Sequence, residues 1–250
     1  LPNLSLWQPV LQGYRLRDVY IGLNNLHSYI LPSLVRAGFS SSPESLEEIY
    51  GGGLLGNKFE PQKLTEELGS SYFLMKTYFK FYSFCRFCHS PIDGILKVLK
   101  QKDFTANEID KIDVYTYSLA ARLSHQHVNN SFAGKFSIPY AIASMFYDEN
   151  NKEEILQLAK KIFVHEDISL TRLLPNERNA RVEVLTSAAE KFVAHVTGAT
   201  GDSDEENLEE KVIEKCTNTL QPIIGAAKAN LLVEKIMNLD GIDNMSTILD

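Results

Sequence analysis

Three cysteines among 250 residues leave no disulfide framework to propose. They fit a reducing compartment, so a cytoplasmic location is expected. No apolar run approaches the ~18 residues needed to span a bilayer, and no signal-peptide pattern opens the chain, so no membrane partner is expected. Positive charge is also in short supply. With 25 Lys and Arg against 32 Asp and Glu the formal net charge is −7, which argues against nucleic acid as a partner, because phosphate backbones attract basic stripes. Internal repeats and low-complexity tracts are missing too. Hydrophobic residues at 44% and charged residues at 23% lie near globular averages, which excludes disorder and collagen-like structure. A chain of this length buries a sizeable core without staples. It begins at Leu1 rather than Met, so something upstream is expected to have been lost, removed or left out.

What is present reads as an α+β pattern. Over residues 19–35 apolar side chains recur at helical spacing (Leu23, Leu26, Ile30, Leu34), and Gly38 stands where a C-terminal cap would. Residues 42–49 read as a short helix with Pro43 at its first position, ended by Gly51-Gly52-Gly53. With Leu54, Leu55 and Phe59 beside them, these glycines point to a packed loop or to a bare linker. Residues 72–87, rich in aromatics with interspersed Lys and Arg, read as a strand leading into a turn. Helices are expected over 91–100, 136–147 and 153–163, a strand over 109–119, and a hairpin of strands 181–186 and 191–196. The acidic run 201–206 marks a boundary. Beyond it, Leu208, Val212, Cys216, Leu220, Ile223, Ala227 and Leu231 form an amphipathic stripe that Pro222 should break into two helices. The expected domain division is a helical segment over 1–63, an α+β module over 64–200 and closing helices over 201–250.

The stretch from Lys76 to His89 brings Lys80, Arg86 and His89 together in an otherwise acidic chain. Arginine offers a planar fork to a carboxylate, lysine a point charge, and histidine a proton donor or acceptor near neutral pH. A helix starting near Pro91 would add backbone N–H groups for an anion. The plainer reading makes Lys80 and Arg86 solvated strand residues and His89 a cap or a packed ring. Cys85, Cys88 and His89 also match the spacing of c-type haem attachment, with two thiols for thioethers and an axial histidine. A zinc site is weaker still, because that trio lacks a paired second half and Cys216 sits in a helical stripe.

Lys80 through Asp93 (KFYSFCRFCHSPID) resembles the K-P-Y-P-S-C-R-Y-T-H-P-A-I-D signature of the MmgE/PrpD family, with Lys80, Cys85, Arg86, His89, Ile92 and Asp93 in register. Cys88 stands at that signature's Thr, which makes the haem spacing a coincidence. Gly134 through Ala143 is similar to the family's A-K-F-S-L-P-Y-A-V-A, and Arg17 to Gly22 more loosely resembles K-x-x-H-x-G. The family includes 2-methylcitrate dehydratase, cis-aconitate decarboxylase and iminodisuccinate epimerase. The resemblance implies a lid-like α+β domain flanked by helices that belong to an all-helical domain. It implies a lyase acting on a tricarboxylate-type acid, with dehydration first and decarboxylation second, and no cofactor and no metal. His89, Lys80 and Tyr140 are then the expected catalytic residues, and Arg86 and Arg17 the expected substrate binders. Tyr20 replaces the family's histidine. Family members run to nearly twice this length, so the partners implied are a di- or tricarboxylate substrate and a chain supplying the N-terminal helical domain, in a homo- or hetero-oligomer. The alternative is a non-catalytic structural partner subunit.

Overall fold

The computed structural model describes residues 7–249 apart from 16, 43 and 56–58. The larger elements are α1 (Trp7–Leu11), α2 (Arg17–Arg36), α3 (His89–Gln101), β1 (Ile109–Thr116), α4 (Ile138–Ala143), α5 (Lys152–Ala159), β2 (Ile162–Glu166), β3 (Ala180–Thr186), β4 (Lys191–Val196), α6 (Leu208–Ile224) and α7 (Ala226–Met237). The four strands form one sheet in the order β2-β1-β3-β4. β1 and β2 are parallel and the other two pairings antiparallel. Alternation along β1 and β3 sends Ile109, Ile112, Val114, Val182 and Val184 to the buried face. α3 packs on β3 and β4 from that side, with Ile92, Ile95 and Val98 fully buried. The approach is close enough that a Cβ on Gly94 would stand 2.5 Å from Val182, so a glycine is required there. α4 bridges from α3 to α5 and completes the core with Ile138, Ala141, Ile142 and Ala143.

The helix expected over 19–35 is present as α2, closed by Gly38 at φ +93 with its N–H on the Val35 carbonyl and that of Phe39 on Leu34. The remaining departures have physical causes. The glycines 51–53 do not end the helical run: wide turns continue through Glu48–Leu55, and Phe59 stacks on Tyr50 with ring centroids 6.4 Å apart. Residues 72–87 form no strand. Phe73–Lys76 is a 3₁₀ turn, and the rest lies along the 199–202 loop with Phe79 N–H donating to the Gly201 carbonyl at 2.8 Å. Aromatic content favours a strand only where a sheet edge is available to pair with. Ile162 and Phe163 belong to β2 instead of a long helix, because α5 ends at Ala159. The closing helix runs through Pro222, and the break falls at Gly225, at φ +82. α6 and α7 fold back on each other, with Ala229 fully buried.

None of the described helices is long and apolar enough to cross a membrane. Much of the apolar surface outside the sheet layer is open. Tyr29 on α2 is 83% exposed, and Ile21, Leu31, Phe73 and Ile223 are exposed with it.

Candidate active site

The segment from Lys80 to Asp93 folds as a strap that turns into a helix. A run of bends over 81–84 leads to Cys85, a 3₁₀ turn covers Arg86–Cys88, and α3 starts at His89. Arg86, His89 and Asp93 therefore recur at i, i+3 and i+7 on one helical face. That face meets the loop after β4. The Arg86 guanidinium donates to the carbonyls of Thr200 (2.9 Å) and Ala199 (3.0 Å), pairs with the carboxylate of Asp202, and lies 4.6 Å above the Tyr78 ring. Asp93 grips the same loop from the other side. It accepts from Thr200 N–H at 2.7 Å and Thr200 Oγ1 at 3.1 Å, and from the Tyr82 hydroxyl at 2.5 Å. Gly201 closes the loop at φ +96, where a Cβ would strike the Phe79 carbonyl and the Phe81 ring.

His89 is fully buried. Its Nδ1 lies 3.2 Å from an Arg86 nitrogen. Arginine has no acceptor to offer, so Nδ1 is the acceptor of this bond and the imidazole is neutral with its proton on Nε2. Nε2 has no hydrogen-bond partner and its ring meets Tyr82 edge-on at 5.1 Å. Burial foremost, then the charges of Arg86 and Lys80, push the imidazole down to about 4, against a smaller opposing effect of the Phe84 and Tyr82 backbone. The Tyr82 phenol is pushed up by burial and by the neighbouring Asp93 carboxylate.

The second motif meets the first in space. The Cys85 N–H donates to the Lys135 carbonyl at 2.7 Å. α4 is set by Ser137, which caps it by accepting from Tyr140 N–H at 3.1 Å and ties back to the His125 carbonyl at 2.7 Å. Tyr140 is half-buried against Gly134, whose missing side chain leaves room for the ring, and burial together with Glu149 raises its phenol. Lys80, Lys135 and Lys215 border one cleft of about 330 Å³, floored by Phe84, Phe132 and Phe136. The Lys215 ammonium donates to the Lys80 carbonyl and lies 5.9 Å from the Phe81 ring, which brings α6 to the strap. Three cations over an aromatic floor form an anion-attracting surface in an acidic protein. Tyr82 also lines a larger cleft of about 840 Å³ between α3 and the 197–205 loop, whose lining mixes Lys97 and Arg178 with Glu177 and Asp204.

The sequence model of the MmgE/PrpD C-terminal domain matches residues 82–239. The chain belongs to the MmgE/PrpD family. The match takes in the strap from Tyr82 onward, the whole sheet and both closing helices. None of the curated proteins matches the chain.

Of the residues nominated from the MmgE/PrpD resemblance, Lys80 stands exposed at the lysine-rimmed cleft, while Arg86 and His89 form a sealed pair behind Tyr82. Tyr140 lies on α4 against Gly134, next to the cleft residue Lys135, and does not itself line that cleft. Arg17 opens α2, but its side chain lies outside the described residues. The haem alternative finds no room, since Cys88 and His89 are both fully buried. Among the described residues no three His, Cys, Asp or Glu side chains gather as metal ligands. Sequence reasoning missed Lys215 and the 199–202 loop. Lys135 was visible inside the second motif, but nothing local marks Lys215 on the polar side of an amphipathic helix.

Proposed function

We propose that the chain is the lid-bearing portion of an MmgE/PrpD lyase acting on a di- or tricarboxylate. Dehydration of a 2-methylcitrate-like acid is the first choice and decarboxylation the second. The observation that carries this reading is the meeting of the two motifs at Cys85 and Lys135, which surrounds one cleft with Lys80, Lys135 and Lys215. A substrate with several carboxylates gains charge as the reaction proceeds, and fixed cations stabilise that charge most where water is excluded. Arg17 is the further cation proposed to face the substrate.

In a dehydration a base takes the proton from carbon and an acid protonates the departing hydroxyl, so that water leaves and a C=C bond forms. Neutral His89, with its proton on Nε2, and Tyr140, with its raised phenol, both carry protons near pH 7. Tyr140 is the proposed acid. A neutral imidazole N–H is too weak an acid to protonate a leaving hydroxyl, so His89 is proposed to offer only the hydrogen bond of its Nε2. In this reading the base comes from the helical domain. The exposed apolar faces of α2 and α7 support the need for that domain. Arg86, occupied by four partners, positions His89 and the loop in place of meeting substrate.

The test is to add an MmgE/PrpD helical domain to the chain and follow turnover of 2-methylcitrate, citrate and cis-aconitate. Lys80→Ala and Lys135→Ala should each lower kcat/KM about 10- to 100-fold, the loss of one charge-assisted contact. Unchanged turnover with Lys80→Ala and His89→Ala would favour the non-catalytic partner subunit instead.

A further inference from the structure

Two thiols sit where the strap becomes helix, and the chemistry above leaves both unused. Cys85 caps the 3₁₀ turn Arg86–Cys88, and the Cys88 N–H donates to the Cys85 carbonyl at 2.8 Å. Cys85 stands just outside the turn at φ −56, ψ 142, and a turn closed in this way keeps its end Cα atoms within about 7 Å. That is the separation a disulfide spans. The thiols also sense each other electrostatically: burial, then Cys85, push the Cys88 thiol well up, with Lys80 opposing. Their access differs. Cys85 is half-buried and borders the lysine-rimmed cleft, whereas Cys88 is fully buried directly behind it. An accessible thiol backed by a buried one is the arrangement of an attacking and a resolving cysteine.

We propose that Cys85 and Cys88 form a redox-active dithiol that a small disulfide such as oxidised glutathione converts to an intramolecular disulfide. The Cys85 thiolate attacks one glutathione sulfur, forming a mixed disulfide and releasing the first glutathione thiolate. The Cys88 thiolate then attacks Cys85 Sγ, closing the intramolecular bond and releasing the second. The two thiol protons pass to the two glutathiones, and the protein's two electrons reduce the glutathione disulfide. The adduct on Cys85 borders the cleft, so the buried Cys88 clears it.

The reduced full chain is incubated with oxidised glutathione without denaturant, then its free thiols are counted and its disulfides mapped by mass spectrometry. Two of the three thiols should disappear into a bond joining residues 85 and 88, with the mass falling by about two daltons. Cys88→Ser should stop at a stable glutathione adduct on Cys85, and Cys85→Ser should leave Cys88 unreacted, which covers the case of one variant folding poorly. Cys216→Ser should behave as the parent chain does. A bond joining residues 85 and 216, a lasting adduct in the parent chain, or three surviving thiols would overturn the proposal.

Discussion

The sheet layer and the helices around it are built to different standards. In the layer, Ile92, Ile95, Ile112, Val114 and Val182 are fully buried, and Arg86 and Asp93 both find their partners on the 199–202 loop. On α2, by contrast, Ile21, Leu26, Tyr29 and Leu31 are exposed, and α7 fully buries Ala229 alone. Exposed apolar side chains in such number fit the proposed reading, in which another body covers that face. The difference separates two tasks within one chain. The layer buries its own core, while the helices carry the surface that the proposal gives to a partner.

The comparison breaks most sharply at matched aliphatic positions. Ile95→Ala in the core should cost about 2–5 kcal/mol, the transfer loss plus the cavity left behind. Leu31→Ala, at a residue 55% exposed, should stay within about 0.5 kcal/mol. Urea unfolding of both variants measures this, and equal losses would mean that α2 is part of the cooperative core. Once a helical domain is bound, Leu31→Ala should weaken the complex instead.

A smaller effect is expected from acid. His89 titrates near 4 in the folded chain and near 6.5 when unfolded. Between those values the unfolded state holds more protons, so stability is fully present above about pH 6.5 and is lost as pH falls towards 4, by about 3 kcal/mol. His125, also pushed down by burial, adds in the same direction. Urea midpoints across this window measure the total. Histidine ring NMR isolates His89, which should remain neutral with its proton on Nε2 at pH 5.5. An imidazolium there would mean that Arg86 does not donate to His89 Nδ1.

How much of this could be read beforehand depends on how far each feature reaches along the chain. α2, α3, β1 and the β3–β4 hairpin announce themselves because periodicity and turn residues act within a few positions. The residues of Lys80–Asp93 could be matched to a family signature, yet their tasks could not. Arg86 reads as a free cation until the loop 113 residues further on supplies Ala199, and Asp93 reads as an ordinary helix acid until Thr200 arrives. The strap over 72–87 has the composition of a strand, but it meets the 199–202 loop and pairs with no strand of the sheet. Lys215 reaches Lys80 across 135 residues, a distance at which no local pattern operates.

The boundary between the two standards is itself testable, because a small joint crosses it. Val10 on α1 is buried in the core cluster, and Trp7 stacks on Phe87 at 5.8 Å, so the start of the chain is stitched into the layer while α2 leaves it. Asn130 makes the stitch. Its Oδ1 caps the Ser131–Gly134 turn by accepting from Ala133 N–H at 2.9 Å, and its Nδ2 donates to the Gly13 carbonyl at 3.3 Å. Asn130→Ala removes both and should cost about 1 kcal/mol, the usual value of a cap. Asn130→Asp keeps the capping oxygen but sets a carboxylate against the Gly13 carbonyl, so the cap survives and the stitch opens. Trp7 is the chain's one tryptophan and reports this directly. In the Asp variant its emission should shift to the red and be quenched more readily by acrylamide, while the urea midpoint moves less than in the Ala variant. If the midpoint and the emission move together in both variants, α1 unfolds with the layer and the boundary lies further along the chain, within α2.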